Sequence, residues 1–177
     1  LYFAIQDARS GASVSIVTKK AAEESNTRYA QGGIATVFGS DDSIESHIRD
    51  TLDAGAGLCD VQAVETAIGE GPRRVQDLLA MGARFSREED GRLSLGREGG
   101  HTYHRVVHAD DWTGRELVRT LLEAARAEER VTLFDDHQAI DLIIDSDGHC
   151  CGAWVEQGMQ PGRPEAFQAP VTLLATG

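Results

Sequence analysis

Basic residues are scarce in this sequence: 17 lysines and arginines stand against 29 aspartates and glutamates, a formal net charge of −12. Nucleic acids and anionic lipid surfaces are repelled at long range by such a chain, which excludes both as sequence-independent partners. A small anion can still bind where local basic residues override the field. Cysteine is nearly absent. The three, Cys59 and the adjacent Cys150 and Cys151, make neither a Cys-x-x-Cys spacing nor an even-numbered framework, and read as reduced, structural thiols of a cytoplasmic protein. No apolar run approaches bilayer length, and no signal peptide is visible. Two motifs are also missing. There is no Gly-x-Ser-x-Gly elbow for a serine hydrolase, and no Gly-x-Gly-x-x-Gly turn of a dinucleotide cradle.

What is present is an ordinary globular composition, 41% hydrophobic and 26% charged over 177 residues, enough for one domain and the start of a second. The first residues already follow a helical pattern (Leu1, Ile5, Ala8), ended by Ser10-Gly11-Ala12, and Val14 to Val17 follow as a β-branched strand closing on Thr18-Lys19. A helix, a tight connection and such a strand resemble the second half of a βαβ unit. With no methionine at its start and a buried-looking run before its end, the chain reads as a segment of a longer protein.

Further along, Asp42-Ser43 caps a helix with Ile44, Ile48 and Leu52 on one side, ended by Ala54 to Gly57. A second helix starts at Asp60 and carries Val61, Val64, Ala67 and Ile68. Gly69 to Pro72 interrupt it, and a third piece, Arg73 to Ala80, stops at Gly82. Arg84 to Leu95 suit a surface excursion or hairpin. Thr113-Gly114-Arg115-Glu116 has the form of a capping box ahead of a helix with Leu117, Leu121, Leu122 and Ala125. Strands are predicted at Val131 to Phe134, Ala139 to Ile144 and Gly152 to Val155, with Asp147-Gly148 as a turn. After a polar loop from Gln157 to Pro164, Val171 to Leu174 read as a strand covered on both faces.

Two stretches carry chemistry. Ser25 to Ile34 (SNTRYAQGGI) is a small-residue loop whose glycines let backbone amides approach a ligand, with short polar side chains beside them. Arg97 to His108 gathers two arginines and three histidines around Glu98, a locally cationic segment able to receive a dicarboxylate while Glu98 faces a cationic group of the same ligand. The bland alternatives are a polar surface loop and packing or solvated imidazoles. A metal site from His101, His104 and His108 lacks completing carboxylates, so no metal is expected.

In order along the chain, SNTRYAQGGI, REGGH (97–101), DWTGRE (111–116) and Ala175-Thr176-Gly177 resemble L-aspartate oxidases, members of the flavoprotein family that includes the succinate dehydrogenase and fumarate reductase flavoprotein subunits. The resemblance implies an α/β fold: a partial FAD-binding, Rossmann-like domain of the glutathione-reductase type across 1–177, with a parallel sheet, a helical insertion and a small β-meander, and a capping domain afterwards. It places Lys19 by the FAD adenosine and the loop Asn26, Thr27, Arg28, Tyr29, Ala30, Gln31, Gly32 and Gly33 along the flavin. Gln138 and Ala139 border the adenine, and Thr176 and Gly177 form a last turn near the cofactor. Where the dehydrogenase branch has a flavin-linked histidine this sequence has Asn26, so FAD is expected to be non-covalent.

By the same resemblance, Glu98 orients the substrate and His101 neighbours a substrate carboxylate. The implied reaction is oxidation of L-aspartate to iminoaspartate with oxygen or fumarate as acceptor, the entry to NAD and other pyridine nucleotide biosynthesis, followed by hand-over to quinolinate synthase. Other arginine and histidine ligands of the family lie outside this sequence, so the segment alone is expected to be inactive. Two other readings stay open: a succinate- or fumarate-type flavoprotein, and a non-catalytic αβ fragment.

Overall fold

The structure is a computed structural model and describes residues 1–158 and 162–176. The chain divides into two compact units, Leu1–Asn26 with Leu122–Gly177, and Thr27–Leu121.

The first unit begins with α1 (Tyr2–Arg9) and β1 (Val14–Val17). Gly11, at φ +106, makes the turn between them, a conformation open to glycine at little cost. β1 pairs in parallel with β5 (Val131–Phe134), in register Val14 to Val131 through Val17 to Phe134, which is the parallel pairing expected of a βαβ-type segment. Behind them, β6 (His137–Ile144), β7 (Cys150–Gln157) and β8 (Glu165–Gln168) form an antiparallel meander. Ala4, Ile5 and Ala8 of α1 and Val155 of β7 are buried. Phe134, His137 and Phe167 pack edge to face where β5 passes into β6. Thiols alternate across β7, Cys150 donating to Gly152 O and Cys151 to His149 O, and all three cysteines are free.

The second unit holds β2 (Ile34–Ala35), α2 (Ile44–Ala54), α3 (Val61–Ala80), β3 (Leu95–Gly96), β4 (Val106–Val107) and most of α4 (Thr113–Ala127). Its strands pair antiparallel in the order β2-β4-β3. Val75, Leu78, Ala83, Phe85 and Val107 make its core, with Ile34, Phe38, Leu95, Leu117 and Leu121 against them. Arg84 to Leu95 do form a hairpin, bridged at Arg87 and Leu93. No helix among the described residues is long and apolar enough to cross a membrane.

Three expectations are corrected. α3 runs unbroken from Val61 to Ala80 with Pro72 inside it; the half-buried or buried stripe Val64, Ile68, Gly71, Val75, Leu78 continues straight through the supposed break. The capping box does not form. Thr113 Oγ1 instead accepts from Ala109 N at 3.1 Å, and the Glu116 carboxylate accepts from Arg84 N at 2.6 Å and from Arg119. On α2 the expected apolar side, Ile44, Ile48 and Leu52, is half-buried, and His47 is buried as well. Val171 to Leu174 form no strand, and Val171, Leu173 and Leu174 are exposed: apolar character marks a segment that favours burial but names no partner strand to supply its ladder. β8 was not anticipated, and Met159 to Pro161 of the loop before it lie outside the described residues.

Candidate functional site

Where the chain passes from the first unit into the second, the small-residue loop makes a single 3-10 turn, Asn26–Tyr29, tied by Ala30 N donating to Thr27 O at 3.1 Å. It rests on the first turn of α4, where Gly114 N donates to Ala30 O at 3.0 Å. A Cβ at Gly114 would collide with Thr27 O and stand 2.8 Å from Ala30 O, so glycine there sets how close helix and loop come. Gly33 is equally confined, a Cβ falling 2.5 Å from Val107 O. Between these anchors Gln31, Gly32 and Gly33 are exposed, and their amides donate to no acceptor among the described residues. Three successive free amides on a fixed backbone suit a ligand with carbonyl or ring-nitrogen acceptors. Arg28 is half-buried and Tyr29 exposed beside them.

Glu98 lies next to this loop. A Cβ built on Gly32 would be 3.8 Å from Glu98 Oε1. The residue starts a four-residue turn, Glu98 to His101, closed by His101 N donating to Glu98 O at 3.2 Å, with Gly100 at φ +86 in its third position as a type II turn requires. His101 packs edge to face on His47, ring centres 5.9 Å apart. Glu98 is exposed and His101 half-buried.

Arg105 departs from the expected cationic segment. It is fully buried and forks onto Asp42, Nε to Oδ2 at 2.9 Å and Nη2 to Oδ1 at 2.8 Å. Its Nη1 stands 3.0 Å from Asp50 Oδ2, an ion pair without the alignment of a hydrogen bond. Asp50 also accepts from Thr102 N at 2.7 Å and Thr102 Oγ1 at 2.8 Å; the amide bond chiefly, helped by the hydroxyl and Arg105, holds its carboxyl below the ordinary range. So Arg105 serves the fold and leaves Arg97 exposed. His47 and Asp50 were missed in the sequence, although their i, i+3 spacing places them on one side of α2; Asp42 lies just before its N-cap Ser43.

The first unit presents the other predicted positions. Lys19 follows the carboxyl end of β1, where Thr18 O accepts from His137 N at 3.0 Å and so brings Gln138 to the same end, the edge at which ligands bind in parallel sheets. The ladder with β7 shifts register between Ala139 and Asp141, freeing backbone groups beside Ala139. Lys19, Gln138, Ala139 and Thr176 are exposed; Gly177 lies outside the described residues. His101, His104 and His108 do not converge as metal ligands. Among the described residues only Asp145, Asp147 and His149 bring three ligand atoms together, and Asp147 N and His149 N already bond Asp145 Oδ1 in one exposed turn.

The sequence matches the family model described as an FAD binding domain over residues 1–177. It is 46% identical to the chloroplastic L-aspartate oxidase of Arabidopsis thaliana over 100% of this chain and 27% of the relative. With the L-aspartate oxidase of Bacillus subtilis it is 42% identical over 93% of this chain and 30% of the relative. The structure resembles Sdh1 of Mycobacterium smegmatis solved with UQ1, with a TM-score of 0.87 at 34% identity over 98% of this chain and 31% of the other. The chain thus spans little more than a quarter of the length of the first of these relatives.

Proposed function

Given that the chain belongs to the family of FAD binding domains, we propose that it is the part of an L-aspartate-oxidising flavoprotein that carries the flavin-side loop and the residue selecting the amino acid. FAD is the cofactor of this fold, and when bound it accepts the hydride of the oxidation. The exposed amides of Gln31 to Gly33 would hold its acceptor atoms, Lys19, Gln138 and Ala139 would flank the adenosine half, and Thr176 would stand in a last turn near the cofactor. Asn26 supplies no imidazole for a covalent link, so binding is non-covalent.

The observation that carries the substrate is the Glu98 carboxylate standing beside the Gly32 backbone. L-Aspartate differs from succinate by one ammonium group on the reacting carbon. A carboxylate at that place pairs with the ammonium and repels a plain dicarboxylate, a charge-assisted contact of about 1.5–3 kcal/mol. His101 donates to a substrate carboxylate. The substrate loses two electrons and two protons as it becomes iminoaspartate, with oxygen or fumarate as the final acceptor. Iminoaspartate is hydrolytically unstable, which favours direct transfer to quinolinate synthase. A cytoplasmic location suits the free thiols, although plant relatives carry chloroplastic names.

Glu98→Gln in the complete, FAD-loaded protein tests this reading. Loss of roughly ten- to a hundredfold in kcat/KM for L-aspartate, with tighter binding of succinate, is expected. Unchanged aspartate kinetics would remove Glu98 from the substrate site, and a native preference for succinate or fumarate would favour the alternative branch.

A further inference from the structure

The turn that presents Glu98 is made from residues poorly able to hold it still. Gly99 and Gly100 form its centre; a Cβ built on Gly99 would meet nothing within 4 Å, and one on Gly100 only Ala54 Cβ at 3.7 Å. Glycine supplies the positive φ but leaves the unpinned chain more conformations than any other residue. The next residue, Thr102, is exposed. Yet both its amide and its hydroxyl are held by the two oxygens of Asp50, 52 residues away in sequence. The pin is itself anchored: Asp50 sits on α2, its Oδ2 faces the Arg105 guanidinium, and Arg105 is forked onto buried Asp42 with Ser46 Oγ at 3.4 Å. One turn before Asp50, His47 backs the His101 ring. Thus one side of α2 contacts Thr102, Arg105 and His101, and the glycine turn hangs between those points.

We propose that Asp50 is a positioning residue for recognition of the α-amino dicarboxylate: it pins Thr102, and through Thr102 it fixes the Glu98–His101 turn so that the Glu98 carboxylate stands where the ammonium binds. The proposal rests on the reading of Glu98 given above. Asp50 does not touch the substrate; it narrows the positions Glu98 samples, and a charge-assisted contact falls away steeply once its partner is displaced. A purely structural aspartate would affect folding or flavin content and leave discrimination between substrates intact.

The test uses the complete, FAD-loaded protein with Asp50→Ala, Asp50→Asn, Thr102→Val and Thr102→Ser. Amide hydrogen exchange over residues 98–104 is expected to quicken about tenfold or more in Asp50→Ala, as loss of bonds to a charged acceptor implies. KM for L-aspartate should rise about tenfold with kcat within about twofold and flavin content unchanged. Thr102→Val should follow in part, Thr102→Ser should behave as wild type, and Asp50→Asn should fall between. If Asp50→Ala does not fold, the Thr102 pair decides. On a Glu98→Gln background Asp50→Ala should add less than about twofold, since the residue it positions is gone. Unchanged exchange, or a KM effect that persists in full on that background, would overturn the proposal. Quickened exchange together with aspartate kinetics indifferent to Glu98→Gln would support the pin and overturn the reading of Glu98, so the two failures are told apart.

Discussion

His47 shows what a single buried side chain adds to the behaviour of the molecule. It is 5% exposed, and its Nδ1 has no hydrogen-bond partner. Burial first, then the charges of Arg105 and His101, push its pKa below the ordinary value, against the opposite pull of Asp42 and Asp50. A base whose pKa falls on folding is protonated first in the unfolded chain. Below a pH of about 6.5 the unfolded state therefore binds more protons, and stability rises with pH across that window. Wild-type protein is expected to lose stability between about pH 7 and pH 5, and His47→Gln to lose less over the same interval. Urea midpoints at the two pH values check this, and parallel losses would show that His47 does not titrate with unfolding. Arg105 makes a related point. Composition around it suggests a cation for a ligand, but its charge is neutralised by Asp42 and Asp50, whose contribution only the folded chain reveals.

At the scale of the element, glycines in similar helical settings have opposite roles. In α3 Gly69 faces open space, while a Cβ on Gly71 would lie 2.8 Å from Thr36 Oγ1. Alanine is the better helix former by about 1 kcal/mol. Gly69→Ala is therefore expected to stabilise the protein by about 0.5–1 kcal/mol, and Gly71→Ala to destabilise it despite the same propensity gain, by displacing Thr36. Chemical denaturation of the pair separates the two, and equal effects would contradict the close approach. In α4, Gly114→Ala drives a methyl group into Thr27 O. The loop proposed to flank the flavin must move, so the complete protein should be purified with reduced flavin content, read from its visible absorbance. Retention of full flavin would show that the loop yields without consequence. The break expected at Gly69 to Pro72 failed for the same reason: Gly71 permits contact with Thr36, and packing along the stripe from Val64 to Leu78 outweighs the penalty of an interior proline, about 3 kcal/mol.

For the whole molecule, binding both carboxylates of L-aspartate calls for cations on two sides. This chain buries Arg105 and offers Arg97 with half-buried His101. The 177-residue chain by itself is accordingly expected to show no aspartate-dependent hydrogen peroxide formation, and detectable turnover would show that its own residues suffice. The sequence by itself determined the family, the α/β class, the strands β1 and β5 to β7 and the helix ends at Gly11 and Gly82, and it singled out the stretches 25–34 and 97–108, which the structure brings side by side at Gly32 and Glu98. These are set by local chemistry: β-branched runs, positive-φ glycines, and the order of short motifs along the chain. Tertiary structure alone decided that Arg105 is internal, that Asp50 holds Thr102, that α3 is continuous, and that Val171 to Leu174 stay unpaired. The first three depend on a partner tens of residues away and the last on the lack of one among the described residues, and pattern along a chain reports the wish for burial or charge balance without naming the group that satisfies it.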